Sequence, residues 1–224
     1  MFEYGNKYNN IIKLYNCQEF QEYVPNAYPF RIEEDDERFI EELIKNECEE
    51  TDAILESLLY DKYGTLFESV DNELGALPWI IRSSGDEDRE DNPNAGAYES
   101  YICNSKEEFQ HKLAKTMLSG MIDRATQQGV FVDKNYIRKL IPVFIQKLIN
   151  CDDKDEKEHV PFIAEHVTYE MVELMAKIHD LMELKQLDTE WVIETNHGIV
   201  SGTSMSIKNG ERITAEISLG FGIG

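Results

Sequence analysis

The chain has 224 residues and sets 22 Lys and Arg against 44 Asp and Glu, a formal net charge of −22. That length is enough to bury a substantial core, and 42% hydrophobic residues with 10% aromatics exclude a disordered acidic tail. The charge argues against a basic nucleic-acid surface and against anionic membranes. A nucleotide stays admissible, because a phosphate site needs only one or two cations and a few backbone N–H groups. Cys17, Cys48, Cys103 and Cys151 show no CxxC spacing, so reduced thiols are expected rather than a zinc site or a disulfide framework. The opening MFEYGNKYNNIIKLYN has neither the charged flank nor the apolar run of a signal peptide. With no apolar stretch near the roughly 20 residues of a membrane helix, a soluble cytoplasmic protein is expected.

Residues 1–30 read as a helical or looped opening with apolar Ile11, Ile12, Leu14 and Tyr15, then a turn around Pro25 and Pro29. From Glu33 to Leu59 the spacing of Phe39, Ile40, Leu43, Ile44, Ile54, Leu55, Leu58 and Leu59 predicts helix. Arg31–Asp52 holds 11 acids and 3 bases, the composition of a solvated helix face. LPWIIRSS (77–84) predicts a buried strand, GDEDREDNPNAGAY (85–98) a loop, and YESYIC (98–103) a second strand. Ser105 and Glu108 suggest a capping box for a helix to about Gln128, with Phe109, Leu113, Met117, Met121 and Ile122 on one face. A short helix is expected over 134–141, a strand in PVFIQKLIN from Pro142, and a charged turn over 152–158.

Thr168 is the expected N-cap of a long helix with Met171, Val172, Leu174, Met175, Ile178, Leu181 and Met182 as its core stripe. WVIE (191–194), GIVSGTSMSIK and RITAEISLGF predict strands, the last two joined by an Asn209-Gly210 hairpin signal. Helices mixed with strands, ending in an antiparallel hairpin, give an α+β class. The pairs Glu158-His159 and Glu165-His166 repeat at a spacing of seven, but Pro161 breaks the helical face that a metal site there would need. His111, His179 and His197 read as surface or helix-end residues. No GxSxG nucleophile elbow occurs.

The segment with chemical content is Ile80-Ile81-Arg82-Ser83-Ser84-Gly85, followed by an acidic turn and Ala95-Gly96-Ala97-Tyr98-Glu99-Ser100. A buried strand there delivers a guanidinium and two hydroxyls to its end beside a glycine-containing loop. Arg grips phosphate oxygens as a fork, and glycine lets backbone N–H groups approach them. On residue types by themselves the favoured reading is an Arg salt-bridged to its acidic neighbours above an ordinary surface loop.

The whole stretch WIIRSSGDEDREDNPNAGAYESYICNSKEEF resembles the ATP-grasp nucleotide-binding domain of the phosphoenolpyruvate synthase and pyruvate phosphate dikinase family. Three further segments resemble that family in the same order: Gly5-Asn6-Lys7 with Leu14 and Val24-Pro25, Pro142–Leu148 as the adenine hinge strand, and Asp188-Thr189-Glu190-Trp191 after a long helix. The resemblance implies an α+β, ATP-grasp-like fold of two closely packed lobes, 1–141 and 142–224, with mixed or antiparallel sheet and helices. It implies ATP and Mg²⁺ as ligands, with Lys7, Arg82 and Ser83 at the phosphates and Gly96 in a phosphate-covering loop. Gln146 and Leu148 would stand at the adenine hinge and Glu190 would hold the metal. Lys7 and Arg82 would be the catalytic cations.

This sequence also departs from the family. The stretch Gly198–Met205 lacks the Gln and Arg of the family's next strand, Ile149–Thr168 is short, and the phosphohistidine and pyruvate domains are missing from the 224 residues. The expected activity is therefore phosphoryl transfer in trans, to a histidine carrier or a small acceptor, or a degenerate form of it. The alternative is a non-catalytic acidic interaction or inhibitor protein, a pseudoenzyme or nucleic-acid mimic.

Overall fold

The computed structural model describes residues 4–21, 23–85, 88–89, 92–93, 98–119, 140–148, 168–182, 186–195, 198–208 and 212–217. In chain order the elements are α1 (Gly5–Tyr15), β1 (Ala27–Phe30), α2 (Glu34–Lys45), α3 (Thr51–Tyr63), α4 (Leu66–Leu74), β2 (Trp79–Ser83), β3 (Asp88–Arg89) and β4 (Asn92–Pro93). They continue with β5 (Ser100–Cys103), α5 (Phe109–Met117), β6 (Val143–Lys147), α6 (Thr168–Met182), β7 (Gln186–Thr195), β8 (Gly198–Lys208) and β9 (Arg212–Ile217). The class is α+β, and every strand pair among the described residues is antiparallel. No helix among the described residues is long and apolar enough to cross a membrane. The chain falls into two units, Met1–Leu148 and Ile149–Gly224. The division comes after Leu148 rather than after residue 141 because β6 is an inner strand of the first unit's sheet.

That sheet has the order β1-β6-β2-β5. Its register sorts residues by the period-2 pleat. Tyr28, Ile145, Ile81 and Tyr101 form one cross-strand row, and Phe30, Val143 and Ser83 the next on the same face. Trp79, Ile81, Cys103, Val143 and Ile145 on this face join one apolar cluster with Ile40 and Ile44 of α2, Leu55 and Leu59 of α3, Leu66 and Val70 of α4, and Phe109, Leu113 and Met117 of α5. Phe67, Trp79 and Phe109 meet there with ring centroids 4.9 to 5.8 Å apart, within the spacing at which aromatic pairs attract beyond their buried area. Trp79 satisfies its indole N–H on the Gly75 carbonyl at 2.8 Å.

The single helical stretch expected over 33–59 is two helices. Glu47 adopts a positive φ of 54° between them, and the Thr51 hydroxyl donates to the Cys48 carbonyl at 2.7 Å. A polar clasp fastens the pair: Lys62 reaches Glu33 and Asp36, both at 2.7 Å, and the Tyr63 hydroxyl donates to Asp36 at 2.7 Å. The turn expected at Pro29 is strand β1, which tolerates a proline because it is a sheet edge. The capping box at Ser105 does not form as expected. The Glu108 carboxylate instead accepts the Asn104 backbone N–H, and α5 starts at Phe109 and ends at Met117, short of Gln128. Met121 and Ile122, most of the helix expected over 134–141, and the Glu158-His159 and Glu165-His166 pairs lie outside the described residues.

In the second unit, α6 buries Leu174, Met175, Ile178 and Met182, four members of the expected stripe. Strands β7, β8 and β9 make a three-stranded meander. Its rows alternate in chemistry: Leu187–Ile207–Ile213 and Thr189–Met205–Ala215 share one face, while Asp188–Ser206–Thr214 and Glu190–Ser204–Glu216 share the other.

Candidate functional site

The opposite face of the first unit's sheet holds Arg82 and Gln146, two of the residues singled out from sequence. Two rows cross it, Ala27–Gln146–Ile80–Ile102 and Pro29–Phe144–Arg82–Ser100. Helix α1 packs against the Phe144 side of this face, through Tyr8. Ile80, Arg82 and Ile102 are half-buried, and Ser100 is exposed.

Gly5 opens α1 at a φ of 78°, and a Cβ there would meet the Ser84 carbonyl oxygen at 1.7 Å. Only glycine fits a left-handed conformation pressed so closely on another backbone. One turn further on, the Tyr8 backbone N–H donates to Ser84 Oγ at 3.0 Å. This satisfies one of the four amides that every helix start leaves without an intrahelical partner. Ser84 is fully buried, and its own N–H donates to the Pro142 carbonyl at 2.9 Å. Lys7 lies on α1 between two residues that touch Ser84, so Gly5-Asn6-Lys7 and Arg82-Ser83-Ser84 are brought together, with Tyr8 and Ser84 76 positions apart in sequence.

Arg82 and Phe144 are cross-strand partners, and the guanidinium carbon stands 5.9 Å from the ring centroid. The Phe144 ring in turn lies 6.0 Å from that of Tyr8, and Tyr8 lies edge-on to Tyr4 at 5.5 Å. Burial, then the nearby Tyr4 and Glu73, push the Tyr8 hydroxyl above its ordinary pKa, so the ring stays neutral at physiological pH.

The other expected site residues are placed differently. Ser83 falls on the packed face with Val143 and Phe30, opposite Arg82; Ser84 is the serine in contact with α1. Gln146 is only 4% exposed and donates its side-chain amide to the Pro25 carbonyl at 3.1 Å. It therefore ties β6 to the Val24-Pro25 turn. The Leu148 N–H donates to the Pro78 carbonyl at 3.0 Å. Gly96 lies outside the described residues, and Glu190 belongs to β7 of the second unit. His111 meets Glu56 at 2.9 Å across α5 and α3, and His179 has Asp180 at 3.6 Å.

Sequence reasoning did not single out Tyr8 or Phe144. Phe144 sits in a uniformly apolar run that signals only a buried strand, and Tyr8 gains its meaning from Ser84. Among the described residues no three His, Cys, Asp or Glu side chains gather as a metal site requires. By strand register Glu190 shares a face with Asp188, Ser204, Ser206 and Glu216, residue types that offer the oxygen donors Mg²⁺ takes. No family model, curated protein or solved structure matches the chain.

Proposed function

We propose that the chain is an ATP-grasp-like nucleotide-binding protein, in which Lys7 and Arg82 hold the phosphates of ATP for transfer to a histidine carrier or small acceptor in trans. One observation carries the reading. Segments separated by as much as the length of the first unit (Gly5–Lys7, Val24-Pro25, Arg82–Ser84 and Pro142–Leu148) meet on one sheet or on the helix packed against it. They are the segments that resemble the phosphoenolpyruvate synthase and pyruvate phosphate dikinase family.

Arg82 presents a planar fork suited to two phosphate oxygens, and Lys7 a mobile point charge at the start of α1. Their work is positioning and charge compensation, the main protein contribution to phosphoryl transfer. Mg²⁺, when bound, supplies further neutralisation of the phosphates. In a chain of net charge −22, long-range repulsion of ATP makes that neutralisation weigh heavily.

Equilibrium binding of ATP with and without Mg²⁺ tests the proposal. Arg82→Ala is expected to weaken MgATP binding at least tenfold, the loss of one charge-assisted contact of about 1.5–3 kcal/mol, while Lys45→Ala at the exposed end of α2 leaves it unchanged. Absence of binding at millimolar ATP, or equal effects of the Arg82 and Lys45 substitutions, refutes the reading. The second reading, an acidic interaction protein, draws on α2, whose Phe39 is 49% exposed beside Glu34, Asp35 and Glu42. A salt-sensitive partner complex without nucleotide affinity decides for it.

A further inference from the structure

We infer that Phe144 is the positioning residue for Arg82, the last support of an aromatic ladder that begins at Tyr4, just before α1; this rests on the nucleotide-binding reading above. The rungs are Tyr4, Tyr8 and Phe144, with centroid separations of 5.5 and 6.0 Å, and the Arg82 guanidinium carbon lies 5.9 Å beyond the last ring. Phe144 is fully buried, so its ring has no room to turn away. Arg82 and Phe144 are direct register partners on β2 and β6, so the sheet itself fixes their separation.

The chemistry of the support matters. A guanidinium carries its five N–H donors in its own plane, and an aromatic ring attracts its flat face. A contact of this kind therefore restrains the orientation of Arg82. The ladder also joins Arg82 to α1, because the Tyr8 backbone N–H is bonded to Ser84, two residues beyond Arg82. Seating of α1 and aim of Arg82 are one arrangement.

Two measurements test this. In the free protein, NMR of the Arg82 side chain is expected to show NOEs between its δ and ε protons and the Phe144 ring. In MgATP titrations, Phe144→Leu is expected to weaken binding about two- to five-fold, the range of one exposed to half-buried cation–π contact. Phe144→Tyr retains the ring and is expected to restore wild-type affinity. In the Arg82→Ala background Phe144→Leu is expected to add no loss, since its effect acts through Arg82. Wild-type affinity for Phe144→Leu, or a full additional loss on top of Arg82→Ala, overturns the inference. If Phe144→Leu does not fold, Tyr8→Leu, half-buried on α1, takes its place with the same expected outcomes. If the wild-type protein binds no MgATP, the nucleotide reading fails by itself. The NOEs then still decide the role of Phe144: their presence upholds the positioning and their absence overturns it.

Discussion

Replacing Gly5 by alanine attacks the point where α1 meets the strand end. The added Cβ would lie 1.7 Å from the Ser84 carbonyl oxygen, 2.5 Å from its carbon and 2.6 Å from Oγ. Ordinary contact begins near 3.4 Å, so α1 has to withdraw by roughly half a carbon–carbon contact distance, and the opposing atoms are backbone that does not yield. The φ of 78° adds about 1–2 kcal/mol for an L-residue. Withdrawal also breaks the Tyr8–Ser84 hydrogen bond, worth about 0.5–1.5 kcal/mol. None of the residues of α1 is fully buried, so the loss is confined to the helix instead of unfolding the sheet. About 2–3 kcal/mol of local destabilisation corresponds to roughly 30- to 140-fold faster amide exchange along α1. Gly75→Ala is the control, because its φ of 76° is similar but nothing lies within 4 Å of the added Cβ. It is expected to cost backbone strain without touching α1 exchange or MgATP affinity. Hydrogen exchange resolved by residue, with a parallel MgATP titration, distinguishes the two variants. Wild-type exchange of α1 in Gly5→Ala refutes the packing argument.

Acid stability and thiol reactivity give further tests. Hydrogen bonds from Lys62 and then Tyr63 hold the Asp36 carboxyl below its ordinary pKa, and Arg38 and Lys106 do the same for Glu34 and Glu68. Each folded-state value is depressed, so each group contributes stability above its unfolded pKa that is lost as pH falls through the folded one. Urea unfolding is expected to show the loss below about pH 4, with a shallower decline in Lys62→Met; an unchanged acid limb contradicts the clasp. Burial, with Glu108 nearby, pushes the Cys103 thiol up to about 11. Alkylation at pH 8 read by mass spectrometry is expected to label half-buried Cys17 and Cys48 while sparing Cys103 until the protein unfolds. Labelling of native Cys103 at the rate of Cys17 contradicts its burial.

The parts of the fold legible in the sequence were those whose signal is local. The apolar runs at 79–83 and 143–147 and the long stripe of α6 announced themselves through periodicity. The break between α2 and α3 did not, because the chain turns at Glu47 with no glycine or proline there to mark it. Helix α4 passed unread although Gly75 at positive φ closes it, a C-terminal signal that was available. In the candidate site, Arg82 and Lys7 were visible as cations in a suggestive order. The pleat then separates Ser83 from Arg82, and only tertiary contact gives Ser84, Tyr8 and Phe144 their places. Such pairings cross tens of residues and leave no periodic trace along the chain.

The pleat of the four-stranded sheet has a consequence for how this protein can change. Odd-numbered positions of β2, β5 and β6, Trp79, Ile81, Cys103, Val143 and Ile145 among them, belong to the packed cluster. Even-numbered Ile80, Arg82, Ser100 and Ile102 lie on the other face with partial or full solvent access. Variation at Ile80, Ser100 and Ile102 is therefore expected to disturb the packed core less than variation at the odd positions, whereas Phe144 and Gln146, even-numbered on β6, are buried. A combinatorial library confined to Ile80, Ser100 and Ile102 would vary that face on a scaffold that keeps its core.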